Sequence, residues 1–385
     1  MKIVCCANMP LAQEAFSRLG ETTVKDGRQI SVDDVRAADI LAIRSTTRVN
    51  AALLEGSSVK FVGTATIGTD HIDQTYLTGK GITWMFAAGC NANSVSEYVT
   101  AALLRLGRRH NFTLEGKTIG IVGVGNVGSH VAKKAAALGL NILLNDPPRQ
   151  RAQTEGRNSS LDQFVTLNAL LEQSDIVTFH VPLTKDGRDP TWHMANSGLL
   201  ARLRNGCVFI NAARGPVNDT DALIAAAESG RIAHTILDTW EGEPSIRQDM
   251  LDIADIATPH IAGHSYEGKV MGTVMVYREA CKFLGAADTW DYESLLPPPL
   301  IPELSVDCTG RQDEDVLNEI VATIYDIEVD DRNLRTGATA DMAKHFDALR
   351  KNYGVRREFR FTKVTALNAA PALQAKITSL GFQRH

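Results

Sequence analysis

The stretch Thr118-Ile-Gly-Ile-Val-Gly-Val-Gly-Asn-Val-Gly-Ser129 decides the fold of this chain. Its first five residues are typical of a buried β-strand, and the next six follow the pattern G-x-G-x-x-G. A helix is predicted over residues 129–138, and Asp146 closes the following predicted strand, about 20 residues downstream. Glycines at these positions permit a tight turn and let the backbone approach a pyrophosphate at the helix N-terminus. The sequence therefore predicts a dinucleotide-binding βαβ unit, and the alternative is a purely structural turn.

The acidic residue after the second strand indicates which dinucleotide binds. Asp146 is expected to accept hydrogen bonds from the adenine-ribose hydroxyls, whereas a carboxylate would repel the 2′-phosphate of NADP. Arg149 keeps NADP open as an alternative, although its guanidinium could also stack on adenine or reach the pyrophosphate. We predict NAD as the cofactor, bound by Gly123, Gly125, Asn126, Val127, Gly128 and Asp146.

Composition limits the class of protein. The chain has 385 residues, of which 44% are hydrophobic and 22% charged, and its net charge is -5. This length suits two or three folded domains, and the acidic balance argues against nucleic acid or an anionic membrane as a partner. We find no secretory leader and no apolar run long enough to cross a bilayer, and the six cysteines are scattered. We expect a cytoplasmic protein that acts on a small molecule.

Strand and helix patterns alternate on both sides of the glycine-rich stretch. They predict an α/β fold in which a doubly wound, parallel-sheet NAD domain is inserted into a smaller flavodoxin-like α/β substrate domain. A small α+β C-terminal domain is expected after the proline-rich run of residues 295–302. The predicted domains are residues 1–93 with 259–287 for substrate, 94–258 for NAD, and 288–385 at the C-terminus.

Three short segments place an arginine, a glutamate and a histidine in succession: Asn211-Ala-Ala-Arg-Gly-Pro216, Asp238-Thr-Trp-Glu-Gly-Glu-Pro244 and Pro259-His-Ile-Ala-Gly263. An arginine grips a carboxylate with two parallel donors, and a histidine held by an acidic partner removes an alcohol proton. We predict that Arg214, Glu243 and His260 are catalytic in the oxidation of a hydroxy acid. His260 and His264 also form an H-x-x-x-H spacing, but the first histidine follows a proline in a loop, and we predict no metal.

Together these segments resemble the D-2-hydroxyacid dehydrogenase family over roughly the first three quarters of the chain. The resemblance implies the catalytic roles just assigned and places Asp238 near the nicotinamide. It further implies that Thr178, Ala212 and Gly263 line the cofactor.

Five stretches, at residues 43–49, 62–73, 145–149, 178–183 and 349–359, resemble one branch of that family. The resemblance implies oxidation of 4-phospho-D-erythronate to its 2-oxo acid, a step of pyridoxal 5′-phosphate biosynthesis. It also implies that the C-terminal domain supports a homodimer.

The residues predicted to bind substrate lie near the ends of predicted strands. Arg44 and Ser45 offer a cation and a hydroxyl for a phosphate, and Thr66 with the backbone at Gly68 could hold the carboxylate or the C3 hydroxyl. His264 completes this predicted set, and it stands where the resembled branch has a tyrosine.

Two alternatives stay open from the sequence. One is a related dehydrogenase acting on 3-phosphoglycerate or another 2-hydroxy acid. The other is a noncatalytic NADH-sensing protein of the corepressor kind, which could keep the glycine-rich loop and the three catalytic residues.

Overall fold

The computed structural model describes residues 1–156, 162–337 and 341–384. Contacts divide the chain into two compact units, Met1–Ala92 with His264–Pro298 and Asn93–Gly263 with Pro299–His385. The first unit is thus built from two separated segments of chain. No helix among the described residues combines the length and apolar character needed to span a membrane. The assignment of separate substrate, cofactor and dimerisation domains stays a prediction.

The first unit is organised by a five-stranded parallel sheet in the order β2-β1-β3-β4-β5. This is the flavodoxin-like order, as predicted. Strands β3 and β4 are buried along their whole length, because helices cover both faces of a parallel sheet. The elements are β1 (Lys2–Cys6), α1 (Ala12–Phe16), β2 (Glu21–Lys25), α2 (Val32–Val35), β3 (Ile40–Ile43), α3 (Ala51–Leu54), β4 (Phe61–Thr64), α4 (Gln74–Gly79) and β5 (Thr83–Phe86).

All but the first residue of a long helix, α5 (Ala92–His110), belongs to the second unit, and a six-stranded parallel sheet follows it. The strand order is β11-β10-β9-β8-β6-β7, and Phe164 forms a further parallel bridge to Leu144 in β7. The chain therefore winds outward from β6 in one direction and then returns to its other side at β8, which confirms the doubly wound sheet. The elements are β6 (Thr118–Val122), α6 (Asn126–Ala137), β7 (Asn141–Asn145), α7 (Pro147–Thr154), α8 (Leu167–Gln173), β8 (Ile176–Phe179), α9 (Ser197–Leu200), β9 (Cys207–Asn211), α10 (Thr220–Glu228), β10 (Ile232–Leu237), α11 (Gln248–Ile253) and β11 (Ile256–Ala257).

Helix α12 (Tyr266–Leu284) belongs to the first unit again. It packs on β4 at Gly63, where an added Cβ would lie 2.3 Å from Cγ1 of Val276. Glycine at this position therefore lets the helix approach the sheet closely.

The C-terminal segment adds a third sheet to the second unit, in the order β12-β13-β14. All its strand pairs are parallel, so helices must connect the strands, and the segment is alternating α/β where the sequence led us to expect α+β. Its apolar side chains share one core with α5 and the second sheet. The elements are β12 (Glu303–Asp307), α13 (Asp313–Ile324), α14 (Ile327–Thr336), α15 (Met342–Lys351), β13 (Lys363–Leu367), α16 (Pro371–Ser379) and β14 (Gln383–Arg384).

Candidate active site

The glycine-rich loop joins β6 to α6 in a conformation that two of its glycines require. Gly123 has a φ of 87°, and an added Cβ there would lie 2.7 Å from the carbonyl oxygen of His180. An added Cβ on Gly128 would lie only 2.0 Å from the carbonyl oxygen of Gly123. Glycine is therefore required at both positions, because the loop packs closely against helix α6 and against the end of strand β8.

Gly125 has a different surrounding, because an added Cβ would meet nothing within 4 Å. Its φ of -73° is open to any residue, so neither backbone strain nor a neighbouring side chain explains glycine here. Helix α6 begins at Asn126, followed by Val127, and its first free N–H groups lie at this end. An open space in front of a helix N-terminus fits a pyrophosphate, so these residues are suited to hold a dinucleotide.

Asp146, which follows β7, ties the end of that strand to the glycine-rich loop. Its Oδ2 accepts the N–H of Val124 and its Oδ1 accepts the N–H of Arg149, both at 2.9 Å. The Arg149 guanidinium bonds the Val124 carbonyl and pairs with Asp162 at 3.1 Å. The carboxylate is thus held in place, and Arg149 is engaged within the protein, which favours NAD over NADP.

Thr178 and His180 line the end of β8, beside the same loop. Oγ1 of Thr178 lies 3.0 Å from Nε2 of His180, and burial lowers the pKa of His180 to about 3. The imidazole is therefore neutral at physiological pH. Sequence analysis did not single out His180, since a histidine after a strand carries no signal without knowledge of what it faces.

The predicted catalytic residues follow three neighbouring strands. Arg214 comes after β9, Glu243 after β10 and His260 after β11, and β10 pairs in parallel with both other strands. Because the carboxyl ends of parallel strands meet at one edge, the fold brings the three connecting loops to the same edge of the sheet. Residues separated by 46 positions in sequence thus come from adjacent loops.

The loop after β9 is shaped by Asn211, the last residue of that strand. Its side-chain amide donates to the carbonyl oxygen of Arg214 at 2.9 Å, and its Oδ1 accepts the N–H of Ala213 at 3.0 Å. At Gly215 an added Cβ would lie 1.9 Å from the carbonyl group of Trp240. The turn that carries Arg214 therefore packs directly on the segment that leads to Glu243, and Ala212 lies half-buried at its start.

Asp238, fully buried at the end of β10, holds the loop after β11. Its Oδ1 accepts hydrogen bonds from Oγ1 of Thr258 and the N–H of Ile261, both at 2.7 Å, and its Oδ2 accepts the N–H of Ala262 at 3.0 Å. Burial raises the pKa of Asp238 despite these bonds. The contact with the loop of His260 gives this aspartate a positioning role that the sequence did not indicate.

Glu243 and His260 form a close pair. Nδ1 of His260 lies 2.7 Å from Oε2 of Glu243, while Oε1 of Glu243 accepts the N–H of Trp240 at 2.8 Å. Burial opposes ionisation of Glu243, but the charge and hydrogen bond of His260 together with the Trp240 N–H lower its pKa. The carboxylate is therefore ionised and can only accept from Nδ1.

The predicted substrate residues lie in the first unit, at the carboxyl ends of its neighbouring strands β3 and β4. Arg44 and Ser45 follow β3 directly, and Thr66 and Gly68 follow β4, where Oγ1 of Thr66 donates to the Gly68 carbonyl at 2.9 Å. The pairing of β3 with β4 brings these two loops to one edge. His264 precedes Ser265, the N-cap of α12, while Gly263 ends the first segment of the second unit.

Among the described residues, one group of side chains has the spacing that a metal ion needs, and it contains neither His260 nor His264. That group contains His110, His234 and Asp255. Nε2 of His110 and Nδ1 of His234 lie 2.9 Å and 3.2 Å from the same oxygen of Asp255, so hydrogen bonds account for the arrangement.

Two segments of the chain match the models of known protein families. Residues 82–262 match the D-isomer specific 2-hydroxyacid dehydrogenase, NAD binding domain, and residues 295–381 match a domain of unknown function. Similar solved structures include the D-lactate dehydrogenase of Aquifex aeolicus complexed with NAD and lactic acid, with a TM-score of 0.61 and 25% identity over 74% of this chain and 96% of that one. The NAD⁺-bound 3-phosphoglycerate dehydrogenase of Entamoeba histolytica has a TM-score of 0.63 and 23% identity over 74% and 95% of the two chains, and therefore shows the shared fold alone.

Curated relatives match the chain over nearly its whole length. The erythronate-4-phosphate dehydrogenase of Salmonella arizonae is 44% identical over 99% of this chain and 98% of its own. The enzyme of the same name from Proteus mirabilis is 43% identical over 99% of each chain. The chain therefore belongs to the D-2-hydroxyacid dehydrogenase family and, within it, to the erythronate-4-phosphate dehydrogenases.

Proposed function

We propose that the protein oxidises 4-phospho-D-erythronate to its 2-oxo acid with NAD, as a step of pyridoxal 5′-phosphate biosynthesis. The observation that carries the reaction type is the 2.7 Å contact between Nδ1 of His260 and the ionised Glu243. It supports a proton acceptor of defined tautomer at the end of β11. The substrate rests on the names of relatives that are 44% identical over 99% of the chain.

The Glu243 contact determines which nitrogen of His260 acts. An ionised carboxylate has no proton to donate, so Nδ1 must carry the proton of the hydrogen bond. In the neutral imidazole Nε2 is therefore the unprotonated nitrogen and accepts the proton of the C2 hydroxyl, while the imidazolium that forms is stabilised by the adjacent carboxylate. In the reverse direction the same nitrogen returns the proton to the C2 oxygen.

Arg214 is proposed to hold the substrate carboxylate and to polarise the C2 oxygen. Its guanidinium is permanently charged and presents parallel donors that match a carboxylate. The glycine-rich loop and Asp146 would hold NAD, which would supply the hydride acceptor for C2 as the C2=O bond forms. The reaction therefore balances with one hydride to the nicotinamide and one proton to His260.

The phosphate is proposed to bind at Arg44 and Ser45, and Thr66 with Gly68 to contact the remaining oxygens. The half-buried guanidinium of Arg44 and the exposed hydroxyl of Ser45 stand together after β3, which supports this assignment. Ala212, Asp238, Thr178 and Gly263 remain proposed cofactor neighbours. His264 is proposed to contact substrate from the start of the α12 segment.

The substrate proposal is tested by steady-state oxidation of 4-phospho-D-erythronate, D-erythronate and 3-phosphoglycerate with NAD. We expect the highest kcat/KM for the first acid. If Arg44 binds the phosphate, Arg44→Met should lower kcat/KM for 4-phospho-D-erythronate and leave the slow oxidation of D-erythronate unchanged. Faster turnover of 3-phosphoglycerate would reject the substrate assignment, and NAD binding without turnover of any acid would favour a noncatalytic NADH sensor.

We also propose a cytoplasmic homodimer. All six cysteines, including the adjacent Cys5 and Cys6, are unpaired, which suits a reducing compartment. The dimer rests on the resemblance of the C-terminal segment, and analytical ultracentrifugation of the full chain tests it.

A further inference from the structure

Arg356, in the C-terminal segment, reaches the loop that carries His260. Its side chain is only 7% exposed, and its Nη2 donates to the carbonyl oxygen of Ala262 at 2.5 Å and to Oγ of Ser94. Oγ of Ser94 donates to the same carbonyl oxygen at 2.8 Å. A cation and a hydroxyl thus converge on one peptide group, two residues after His260.

The backbone of Ala262 is held on both sides. Its N–H, in the peptide that joins it to Ile261, donates to the carboxylate of Asp238. Its carbonyl oxygen, in the next peptide, accepts from Arg356, so two successive peptide groups are fixed, one by an acidic and one by a basic side chain. His260 has a φ of 55°, in the left-handed region that few residues other than glycine adopt. The contacts around Ala262 fix the backbone that follows this turn.

Arg356 itself is oriented by aromatic and acidic groups. Its guanidinium stacks on the ring of Tyr325, 4.4 Å from the centroid. The hydroxyls of Tyr325 and Tyr353 both donate to Oδ2 of Asp330, at 2.9 Å and 2.8 Å. A planar guanidinium suits this stacked site, and a lysine ammonium could neither stack in the same way nor present donors in the same fixed geometry.

The run that follows Arg356 is anchored on α5, the helix that contains Ser94. The N–H of Phe359 donates to Oε1 of the buried Glu97 at 3.1 Å. The Asn93 amide donates to Glu97 at 3.0 Å and to Glu358 at 2.8 Å. These bonds fix the backbone on which Arg356 stands, so the guanidinium is presented to the loop from a rigid base.

Burial of this guanidinium is unfavourable for the free energy of folding, because its Nη1 has no hydrogen-bond partner within the described part of the chain. An aliphatic side chain would fill the space at lower cost. The contact with Ala262 gives a reason for a cation at this position.

We propose that Arg356 is a positioning residue for the dehydrogenase reaction, holding the Ala262 carbonyl group and through it the backbone of His260, so that the C-terminal segment helps to build the active site. This inference rests on the proposed function. It assigns a role in catalysis to a segment that matches a domain of unknown function.

The test compares Arg356→Lys and Arg356→Ala with the matched variant Arg357→Lys, which alters a buried guanidinium of the same segment that stacks on Phe361. Loss of one charge-assisted hydrogen bond predicts that Arg356→Lys lowers kcat about 10- to 100-fold. The KM for NAD should change little. In hydrogen–deuterium exchange, the amides of Ile261 and Ala262 should exchange faster, and added guanidinium ion should restore part of the kcat of Arg356→Ala.

A second variant covers the case in which Arg356 variants fail to fold. Ser94→Ala removes the other donor to the Ala262 carbonyl with a smaller change in volume, and it should speed exchange of the same amides and lower kcat more modestly. Wild-type kcat in Arg356→Lys, unchanged exchange in residues 259–263, or an equal loss in Arg357→Lys would overturn the inference. The proposed function is tested separately, on the wild-type protein alone. If that protein oxidises no 2-hydroxy acid, the proposed function is rejected.

Discussion

Replacing Glu243 by glutamine should disable the base without disturbing the fold. In the structure Oε1 of Glu243 accepts the Trp240 N–H at 2.8 Å and Oε2 faces Nδ1 of His260 at 2.7 Å. A glutamine has one carbonyl oxygen and one NH₂ group for these two places. If its oxygen keeps the Trp240 N–H, its NH₂ group faces Nδ1 and favours the tautomer with the proton on Nε2, which cannot accept the substrate proton.

The size of the effect follows from two terms. Loss of the charge-assisted hydrogen bond raises the activation free energy by about 1.5–3 kcal/mol. In the productive tautomer Nδ1–H of His260 would face the NH₂ group of the glutamine, and these two buried donors without an acceptor add about 1–3 kcal/mol. Together these terms raise the barrier by about 2.5–6 kcal/mol, and since each 1.36 kcal/mol is tenfold, we expect kcat to fall about 10²- to 10⁴-fold.

The assay is the initial rate of NADH formation with saturating 4-phospho-D-erythronate, together with the KM for NAD and the Tm. Glu241→Gln is the matched control, because Oε1 of Glu241 lies 2.7 Å from Nε2 of His193, in a second glutamate–histidine pair formed by the same segment. We expect the control variant to keep nearly normal kcat. Near-normal kcat in Glu243→Gln, or an equal fall in both variants, would refute the assignment of Glu243 as the partner of the base.

Three further predictions concern the cofactor site. Gly125→Ala should leave the Tm nearly unchanged and weaken NAD binding measured by titration calorimetry. Gly128→Ala should lower the Tm, because only the Cβ added at Gly128 collides with the protein. Equal effects of the two variants on the Tm would contradict this prediction. Asp146→Ser should raise the KM for NAD and reduce the preference over NADP, and unchanged kinetics with both cofactors would remove Asp146 from the site. Because the pKa of His180 is lowered to about 3 from 6.5, its stabilising contribution is complete above pH 6.5 and is lost as the pH falls toward 3. His180→Gln should therefore flatten the pH dependence of the free energy of unfolding between pH 6 and 4 by up to about 1.4 kcal/mol per pH unit, and identical slopes in urea titrations would contradict the prediction.

Elements with a strong local pattern were predicted well, and weakly patterned elements were not. The bounds predicted for β6 agree with the structure, and β7 ends directly before Asp146 as predicted, because each strand is bordered by turn residues and carries a clear run of apolar side chains. Strand β2, with the sequence Glu-Thr-Thr-Val-Lys, was not predicted, since it lies at the sheet edge and is largely exposed. Helix α14 is rich in charged residues and also gave no clear apolar repeat.

The candidate site divides in the same way. Placing Arg214, Glu243 and His260 together required only the order of strands in a doubly wound sheet, which a βαβ series predicts. The partners that orient them could not be predicted, because no local pattern indicates that Asp238 accepts three hydrogen bonds from the loop of His260. The expected place of Asp238 near the nicotinamide stays a prediction.

The sequence by itself determined the two parallel sheets, the dinucleotide loop and the residue types suited to hydroxy-acid oxidation, because each depends on spacing within a few residues. Only the tertiary structure decided how those residues are held. Arg356 meets the Ala262 carbonyl across 94 positions of sequence, and no local pattern encodes a contact at that separation. Such contacts arise when segments far apart in sequence pack into one core, and here that packing brings the C-terminal segment to the loop of His260.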